Sequence, residues 1–506
     1  MAQTLSEQSY PRLLAPKADG ELLVWPEALQ VLRQTWDNNR SLREQDSRLM
    51  VGLPARRLRS WMRRWLGHGE DSRPIIATGH QTELHHAGVW VKNVVIDSAA
   101  NRIGAAAIHF AVDTDAPKHL QYRWPGGGMA LTDDPQLAQA RWSALAKAPS
   151  LEHVQALRAA GQQASTQWGF RPAWDDLFAT LEHLAPGNKD LSSTLTLAQH
   201  ATDRGLGLTH QTLVTSSLWK ATAYLVYVYD ICTRAEAFAG IYNQALTNFR
   251  QTHGITSPGR PMPDMASDGD CCEVPFWLDD LAEGQRQRAT LTREAGTWTL
   301  QANGAQFTFS DDVRDGWAAA ESLGLWLTQQ KLRLTPRALS LTMFLRMFVV
   351  DQFVHGIGGG LYDQVTDAII AAWYDCPPPA FAVATATLFF PGALQREQIC
   401  LPCLAREGRR LQNDVLGERK LQLVREIAVL PRRSPQRSVL FSQMHRELDE
   451  VRQSDPRLAQ HIEQVEQARQ QAEIDARFFD RELSYTLQSR TRLEQVIAQV
   501  NERFGV

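Results

Sequence analysis

Two polar clusters in the chain combine residue types that suit acid–base chemistry. The first is TGHQTELHH at residues 78–86, which contains His80 and His86. Imidazole titrates near neutral pH, so either histidine is a candidate general base. The second cluster is DTD, whose Asp113 and Asp115 are candidates to hold an amine or a metal-bound phosphate. A histidine that follows a strand is more often a structural hydrogen-bonding residue, and this alternative stays open for both.

The segments that flank these clusters predict how they are positioned. Residues 75–77 and 105–112 are short apolar runs, and a helical pattern separates them. Strand, helix and strand in this order predict two adjacent parallel strands. Their polar ends would share the carboxyl edge of one sheet, where ligands bind in open α/β folds. We therefore predict a small-molecule pocket at this edge, in which Lys118 can bind a carboxylate or phosphate.

A glycine-rich turn, GIGGG at residues 356–360, stands directly before an amphipathic pattern. Backbone N–H groups at a helix start attract anions, which predicts an anion site at Gly356, Gly358, Gly359 and Gly360. The alternative is a tight loop that requires positive φ angles and binds nothing.

Arg346 and Asp351 precede this turn and are five residues apart. Arg346 is a candidate ligand for a carboxylate or phosphate because its guanidinium matches the geometry of both. The alternative is an internal ion pair between Arg346 and Asp351.

The pattern of the whole chain predicts an α/β protein with three parts. We expect an N-terminal helical segment at 1–72 that packs on a core at 73–395, and a C-terminal helical domain at 396–506. The core would contain a helical insertion at about 130–205 and a small antiparallel β unit at about 271–312. In the N-terminal segment, the tryptophans and leucines of ARRLRSWMRRWLG should pack inward while its arginines stay in solvent.

The end of the chain has a seven-residue apolar repeat, which is typical of a helical hairpin or coiled coil, within one chain or in a homodimer. Arg469 and Arg490 interrupt the companion row of the repeat, which argues against a long dry seam between two chains. The repeat consists of Leu458, Val465, Ala472, Phe479, Thr486, Leu493 and Val500, with Ile462, Ala476, Leu483 and Ile497 in the companion position.

Composition limits the function classes. The formal net charge of −3 argues against a nucleic-acid-binding protein, which needs a basic face to neutralise phosphates. The longest apolar stretch, near residues 341–350, is about half the roughly 20 residues that a membrane span needs. We therefore expect a cytoplasmic protein with no membrane or nucleic-acid partner.

Six cysteines in 506 residues are too few for a disulfide scaffold, so most should be reduced thiols. Cys400 and Cys403 have the CxxC spacing of metal ligands or redox pairs, and Cys271 with Cys272 could complete a four-thiolate zinc site. Buried or incidental thiols are the default alternative.

In their order along the chain, these segments resemble the cysteine-adding enzyme family of bacillithiol biosynthesis (BshC). The resemblance covers nearly the whole chain, although each motif is short. His80 replaces a glutamine of the family loop, and the family's acidic-histidine cluster appears here as Asp113 and Asp115, with Lys118 and His119 displaced downstream. The residues that match the family motifs are Thr78, Gly79, Gln81, Asp115, Arg346, Asp351, Gly356, Gly358, Gly359 and Gly360.

This resemblance implies a Rossmann-like core, a helical connecting region and a coiled coil that can dimerise. It also implies a ligase that joins cysteine to a glucosamine-malate conjugate through an amide bond. No cofactor follows from the residues themselves, and ATP or ADP is the nucleotide that the resemblance suggests.

Two functions are therefore predicted. The first is a carbon–nitrogen ligase that adds cysteine or a related amino compound to a small carboxylate or sugar-conjugate acceptor. The second is a non-catalytic relative that binds a nucleotide or metabolite and recruits a partner through its coiled coil. The altered acidic-histidine cluster favours the second function. The retained TGxQ loop, the glycine turn and the pair Arg346 and Asp351 favour the first.

Overall fold

The computed structural model describes residues 10–45, 49–69, 73–135, 139–187, 190–294, 296–395 and 399–506. The strands are β1 Leu22–Trp25, β2 Leu49–Met50, β3 Leu53–Pro54, β4 Ile75–Gln81, β5 Ala106–Val112, β6 Gln121–Trp124, β7 Gly127–Ala130, β8 Gln211–Val214, β9 Cys271–Asp280, β10 Gln285–Glu294, β11 Thr297–Ala302, β12 Ala305–Phe309, β13 Leu332–Pro336, β14 Gln352–His355 and β15 Ala382–Ala386. The helices are α1 Ala28–Glu44, α2 Ala55–Trp65, α3 Ala87–Ile103, α4 Leu151–Ser165, α5 Asp175–Leu184, α6 Leu191–Gly205, α7 Thr222–Thr233, α8 Ala235–His253, α9 Gly316–Gln329, α10 Ala338–Phe348, α11 Ile357–Tyr374, α12 Leu401–Val429, α13 Pro435–Ser454, α14 Pro456–Phe478 and α15 Arg490–Phe504.

The main sheet has six strands in the order β1-β15-β14-β4-β5-β8. Five of them are parallel, and β1 joins the edge antiparallel to β15. The parallel strands, numbered by their place in the chain, lie in the order 3-2-1-4-5, so the chain reverses direction between β4 and β14. The fold is therefore mixed α/β, as the sequence pattern predicts, and it is organised on a mostly parallel sheet. At such a reversal the carboxyl ends of neighbouring strands border a crevice.

Helices cover both faces of this sheet, which explains why β4 and β5 read as continuous apolar runs. Ile76 belongs to a core shared with α1, α3 and α15. Its neighbours Ile75 and Ala77 belong to the opposite core, shared with α2, α7, α10 and α11. This alternation is the two-residue period of a strand. The N-terminal helices thus pack on the core as predicted. The prediction for α2 is wrong in two respects, because Arg59 and Arg63 are buried rather than solvated and Trp65 is 39% exposed.

A second sheet is fully antiparallel, with the order β12-β11-β10-β9-β13. It is larger than the small β unit predicted at about 271–312, because β13 adds a strand after α9. The region predicted as a helical insertion contains α4, α5 and α6, and α6 packs beside the carboxyl edge of the main sheet next to β8. Among the helices in the described ranges, none is long and apolar enough to cross a bilayer.

The chain forms two compact units. The first comprises Met1–Leu388 together with Arg481–Val506, and the second is Phe389–Asp480. The predicted C-terminal domain at 396–506 is therefore wrong in its last part, because α15 belongs to the first unit and packs against α3. The seven-residue repeat does not mark one continuous helix, since Leu483 and Thr486 lie between α14 and α15. The second unit contains α12, α13 and α14, each in contact with the other two.

Candidate functional site

The first two polar clusters meet at the carboxyl edge of the main sheet. Strand pairing places Gln81 at the end of β4 opposite Val112 at the end of β5. Gln81 Nε2 then donates a hydrogen bond of 2.8 Å to Asp115 Oδ2. The loop after β4 and the acidic turn after β5 are thus joined directly, as the strand–helix–strand pattern predicts.

A cavity of about 80 Å³ lies beside this loop. Three segments line it: the loop after β4, the stretch that leads into β6, and residues 482–484 of the returning C-terminal segment. Its charged and titratable lining residues are Glu83, His86, His119, Arg123 and Glu482. Opposite charges in a small, mostly enclosed space suit a zwitterionic or carboxylate-bearing ligand better than an apolar one.

The C-terminal segment is held in place by contacts with α3 and α6. The ring of Tyr485 stacks on Trp90, with centroids 5.0 Å apart. Its hydroxyl donates a hydrogen bond of 2.9 Å to Asp203 Oδ1, and Tyr485 N donates one of 2.9 Å to His85 O. Because Tyr485 is fully buried, residues 482–484 have a fixed position in the wall of the cavity.

Glu83 is the acidic group most strongly perturbed in this wall. Burial raises its pKa, although the nearby charges of His119, Lys118 and Lys92 act in the opposite direction. Its Oε2 atom is buried and accepts no hydrogen bond from the part of the chain that the structure describes. Such an atom costs free energy unless a ligand or water satisfies it. Glu83 therefore offers a ready acceptor to a bound amine or hydroxyl.

Two basic groups next to Glu83 are held close to their neutral forms. His80 Nδ1 lies 3.5 Å from Glu83 Oε1, and burial, with Lys92 and His85 as further causes, lowers the pKa of His80. Lys92 Nζ donates a hydrogen bond of 2.9 Å to Gly79 O. Burial lowers the pKa of Lys92 to about 7. Lys92 can therefore exchange a proton near neutral pH, whereas His80 stays neutral there and is a weak base.

A series of histidine rings continues from His80 into the protein. Ring centroids are 5.4 Å apart for His80 and His85, 5.3 Å for His85 and His109, and 6.3 Å for His109 and His210. At the inner end, His210 Nε2 lies 3.0 Å from Asp203 Oδ2. Burial alone would lower the pKa of His210, but the hydrogen bond and charge of Asp203 outweigh it and raise the pKa.

The two middle rings of this series differ from His210. Burial lowers the pKa of His85 to about 3 and that of His109 well below its usual value. His85 Nδ1 and His109 Nε2 are buried without a hydrogen-bond partner among the described residues. Both residues border a second, smaller cavity of about 10 Å³, which is about the space of one water. This space gives the two unpaired nitrogens room for one hydrogen-bonding water.

Several sequence candidates have structural partners instead of a free surface. Thr78 is fully buried and donates to Val354 O at 2.7 Å. The carboxylate of Asp113 accepts bonds from Ser216 N at 2.8 Å and Thr215 Oγ1 at 3.1 Å. Asp113 therefore anchors the turn after β8, which leaves Asp115 as the acidic side chain that contacts the loop after β4.

His86 and the downstream pair have positional roles at the cavity. His86 is the N-cap of α3, and its Nδ1 accepts a 3.1 Å bond from Gly88 N. His119 lines the cavity, and its backbone has a positive φ of 49°. Lys118 is exposed and its charge acts on Glu83. Lys118 and His119, which follow the acidic cluster downstream in the sequence, thus lie beside the candidate site.

The predicted ion pair between Arg346 and Asp351 is wrong. Arg346 binds Asp363 at 2.5 Å and Asp367 at 2.6 Å. Asp351 instead binds Arg59 and, at 3.2 Å, Arg63. The reason is topological, because Asp351 precedes β14 at the amino edge of the sheet, whereas Arg346 lies on α10.

The glycine turn forms the start of α11, so the alternative of a tight loop with positive φ angles is wrong, and anion binding at this helix start stays a prediction. Gly356 is the N-cap of α11, and Gly358, Gly359 and Gly360 lie in its first turn with no positive φ. At Gly360 a Cβ atom would lie 2.5 Å from Val383 Cγ2 and 2.6 Å from Tyr10 Oη. Glycine is needed at 360 for close packing, while a Cβ at Gly358 would meet open space.

The predicted zinc site is also not formed. Cys400 and Cys403 are joined in a disulfide, so these two sulfurs are not available as thiolate ligands. Cys271 and Cys272 are free thiols on β9. In the described ranges, no group of three or more His, Cys, Asp or Glu side chains is placed to hold a metal ion.

Sequence reasoning missed Lys92, His109, Asp203 and His210, and it did not single out Glu83 from its cluster. His109 left a signal, since it is the one polar side chain in the apolar run of β5, AAIHFAV. Asp203 and His210 carry no such signal in the sequence. Asp203 lies in α6, within the helical region, and His210 is the residue before β8.

Comparisons of the chain with protein-family models and with curated proteins gave no match. The case for a function therefore rests on residues and geometry.

Proposed function

We propose that this protein is a carbon–nitrogen ligase that resembles the cysteine-adding enzymes of bacillithiol biosynthesis. Its substrates would be cysteine or a related amino compound and a small carboxylate or sugar-conjugate acceptor, joined by an amide bond. The observation that carries the proposal is the hydrogen bond between Gln81 and Asp115, which joins the two segments whose next residues, Glu83 and His119, line the cavity. This bond connects two motifs on which the resemblance depends, and the segments that follow both motifs line the same small polar cavity. The proposal places the reaction in the cytoplasm.

The strand order supports a Rossmann-like reading of the core. The order 3-2-1-4-5 of the parallel strands is the one expected for the first five strands of a doubly wound dinucleotide-binding fold. In such folds the ligand lies outside the carboxyl ends of the strands. The cavity beside Glu83 lies after the end of β4, but its lining comes from the segments after β4 and β5 and from residues 482–484, and not from the turn after β14 at the point of reversal.

The side chains around the cavity suit amide formation. The reaction needs a deprotonated amine held close to an activated carboxylate, and positive groups where negative charge develops. Glu83 would orient the incoming amine, and Lys92 would accept its proton, because burial lowers the pKa of Lys92 to about 7 while His80 stays neutral. Arg123 lines the cavity and, with the nearby Lys118, would attract the carboxylate.

The glycine turn fits a nucleotide phosphate poorly. The space at Gly360 is filled by Val383 and Tyr10, and the guanidinium of Arg346 is neutralised by Asp363 and Asp367. We therefore derive no catalytic step from ATP or ADP, and both remain ligands to be tested.

A second candidate is a non-catalytic relative that binds a metabolite and recruits a partner or a second copy. The second unit favours it, because several large apolar side chains there are exposed although helices surround them. Examples are Val429 at 83%, Val439 at 61%, Leu421 at 56% and Phe441 at 52% exposure. Single exposed apolar residues are common, but a group on one small helical unit indicates an interaction surface.

The two candidates can be separated by one ligand experiment. The purified protein is titrated by calorimetry with cysteine, a glucosamine-malate conjugate, ATP and ADP, and the mixtures are analysed for an amide product by mass spectrometry. We expect binding of the amino compound and the conjugate, and product formation in wild type. Glu83→Gln should lose at least about tenfold in affinity for the amine, since a charge-assisted hydrogen bond is lost.

The matched control is Glu152→Gln, which makes the same change at an exposed position on α4 and should bind as wild type does. Asp115→Ala tests the contact between the two motifs and should also weaken binding. Binding without product would favour the non-catalytic candidate. No response to any of these ligands would contradict both.

A further inference from the structure

Cys400 and Cys403 form a disulfide on the surface of the second unit. Both residues are exposed, and they stand at the start of α12, whose 29 residues form two helical segments with a break at Gly417. Buried disulfides act as staples, whereas exposed ones at accessible positions are open to attack by thiolates. The pair therefore has the access that thiol–disulfide exchange requires.

The surroundings of the two sulfurs favour their anionic forms. Cys400 is the N-cap of α12, and its Sγ accepts a 3.2 Å hydrogen bond from Cys403 N. The positive end of a helix dipole stabilises a thiolate at this position. On the other side, Arg406 Nη2 lies 3.4 Å from Cys403 Sγ and donates to it. Each sulfur thus has its own donor.

The four remaining cysteines are in unreactive surroundings. Cys232 and Cys272 are buried in the first unit, and burial raises the pKa of both. Burial also raises the pKa of Cys376 to about 11 and that of Cys271 to a lesser extent. A thiol with a raised pKa is a poor nucleophile at neutral pH. The contrast makes Cys400 and Cys403 the reactive pair of this chain.

We propose that Cys400 and Cys403 are a thiol–disulfide exchange site for low-molecular-weight thiols that carry a carboxylate. The thiolate of a first small molecule attacks Cys400 Sγ, the bond between the protein sulfurs breaks, and its electron pair passes to Cys403 Sγ beside Arg406. A second thiolate attacks the mixed disulfide and releases the small-molecule disulfide and the Cys400 thiolate. Two small thiols are oxidised, the protein disulfide is reduced to a dithiol, and the protons of the small thiols pass to the protein sulfurs or to solvent.

The preference for a carboxylate comes from the first turns of α12. Arg406, Arg409 and Arg410 are all exposed, and their spacing of three and four residues places them on one side of the helix. Glu407 is also exposed between them, which leaves a net positive patch next to Cys403. A small thiol with a negative charge should be attracted to this patch and a cationic one repelled.

The test uses the full chain and two probes of similar size and opposite charge, mercaptoacetate and cysteamine. Reduction of the Cys400–Cys403 disulfide is followed at neutral pH and low salt by alkylation and mass mapping. We expect reduction without denaturant, and a rate per thiolate that is about threefold or more higher for mercaptoacetate than for cysteamine. In a triple variant, R406Q with R409Q and R410Q, the two rates should become similar.

A second measurement tests the reactivity of Cys400 itself. In Cys403→Ser, the Cys400 thiol should react with iodoacetamide about tenfold faster than Cys271 and Cys376 in the same protein. Cys400→Ser provides the matched control, and since both positions are exposed, circular dichroism should show an unchanged fold. Resistance of the disulfide to native reduction, a rate that does not depend on probe charge, or alkylation of Cys400 no faster than that of Cys376 would each overturn the proposal. The Glu83 variants do not affect these readouts, so this inference and the ligase proposal fail independently.

Discussion

The main sheet has a buried carboxylate beside each edge, and the two carboxylates differ in how completely they are hydrogen-bonded. At the amino edge, Asp351 is almost completely buried and both of its carboxylate oxygens are paired. It binds Arg59 and accepts hydrogen bonds from Arg63 at 3.2 Å, Asn39 at 2.9 Å and Ile75 N at 2.7 Å. This carboxylate has no capacity left for a ligand.

At the carboxyl edge, buried polar atoms are left without protein partners. Within the described ranges these include Glu83 Oε2, His85 Nδ1 and His109 Nε2. Each lies beside a cavity. The contrast concerns the carboxylates, since Arg59 Nε and Gln352 Nε2 at the amino edge also lack a partner among the described residues. A carboxylate whose hydrogen bonds are complete acts as a structural anchor, whereas one with a buried unpaired oxygen, such as Glu83, can accept a bond from a ligand. Asp351 matches a motif of the resemblance, but both of its oxygens are bonded to protein donors.

The largest expected effect comes from breaking the amino-edge cluster. Asp351→Asn removes the charge that balances Arg59 and Arg63, so two buried cations lose their partner. We expect the free energy of unfolding to fall by about 3–5 kcal/mol, measured by urea denaturation. A loss below about 1 kcal/mol would show that the cluster is dispensable, and the contrast between the edges would then fail.

The glycine turn provides the next largest effect. Gly360→Ala places a Cβ atom 2.5 Å from Val383 Cγ2, which should cost about 1–3 kcal/mol of stability through overpacking. Gly358→Ala is the matched control in the same helical turn. It meets open space, so it should be neutral or stabilising by up to about 1 kcal/mol. Equal losses in both variants would argue for a role of the turn other than packing.

Lys92 gives a pH-dependent effect at the carboxyl edge. Its pKa is lowered from 10.5 to about 7 in the folded protein. As the pH falls from 10.5 to about 7, the unfolded chain takes up this proton before the folded protein does, so wild type loses stability over this interval. The difference in free energy of unfolding between Lys92→Met and wild type, measured by urea denaturation, should shift by about 1.4 kcal/mol in favour of the variant when the pH is lowered from about 9 to about 8. Lys118→Met, at an exposed lysine, is the control and should show no such trend.

The smallest effect is expected at Glu83. Because burial raises its pKa above the ordinary value of 4.5, the folded state holds this proton more tightly than the unfolded chain does. Stability is then lost as the pH rises from 4.5, the pKa of the unfolded chain, through the higher pKa of Glu83 in the folded state. Glu83→Gln should remove this loss and be more stable than wild type at about pH 7 by up to about 1 kcal/mol, but not at about pH 4. A destabilised variant at neutral pH would mean that Glu83 is as structural as Asp351.

The local parts of the site were predictable from sequence. The apolar runs of β4 and β5 and the helical pattern between them predict two parallel neighbours, and hence the contact of Gln81 with Asp115. These features lie within about 40 residues of one another, where the period of the apolar residues is informative. The clusters could therefore be assigned to one edge before their geometry was known.

The remaining parts of the site depend on distant pairings. Asp203, from α6, supports the histidine series, and Tyr485, from beyond α14, fixes the wall of the cavity. Neither follows from a local period. The seven-residue repeat even misled the assignment, because it continues across the stretch where the chain leaves α14. Likewise, Arg346 and Asp351 look like partners in the sequence, but each is nearer in space to other residues.

The return of α15 to the first unit has a consequence for protein synthesis. Trp90 and the neighbouring core face of α3 are packed by Tyr485, Leu493 and Phe504, which a ribosome translates only after the whole second unit. Until then this face is uncovered on the nascent chain. A polypeptide truncated within residues 389–480 would leave this apolar face of α3 exposed, and it would aggregate rather than form a smaller folded protein.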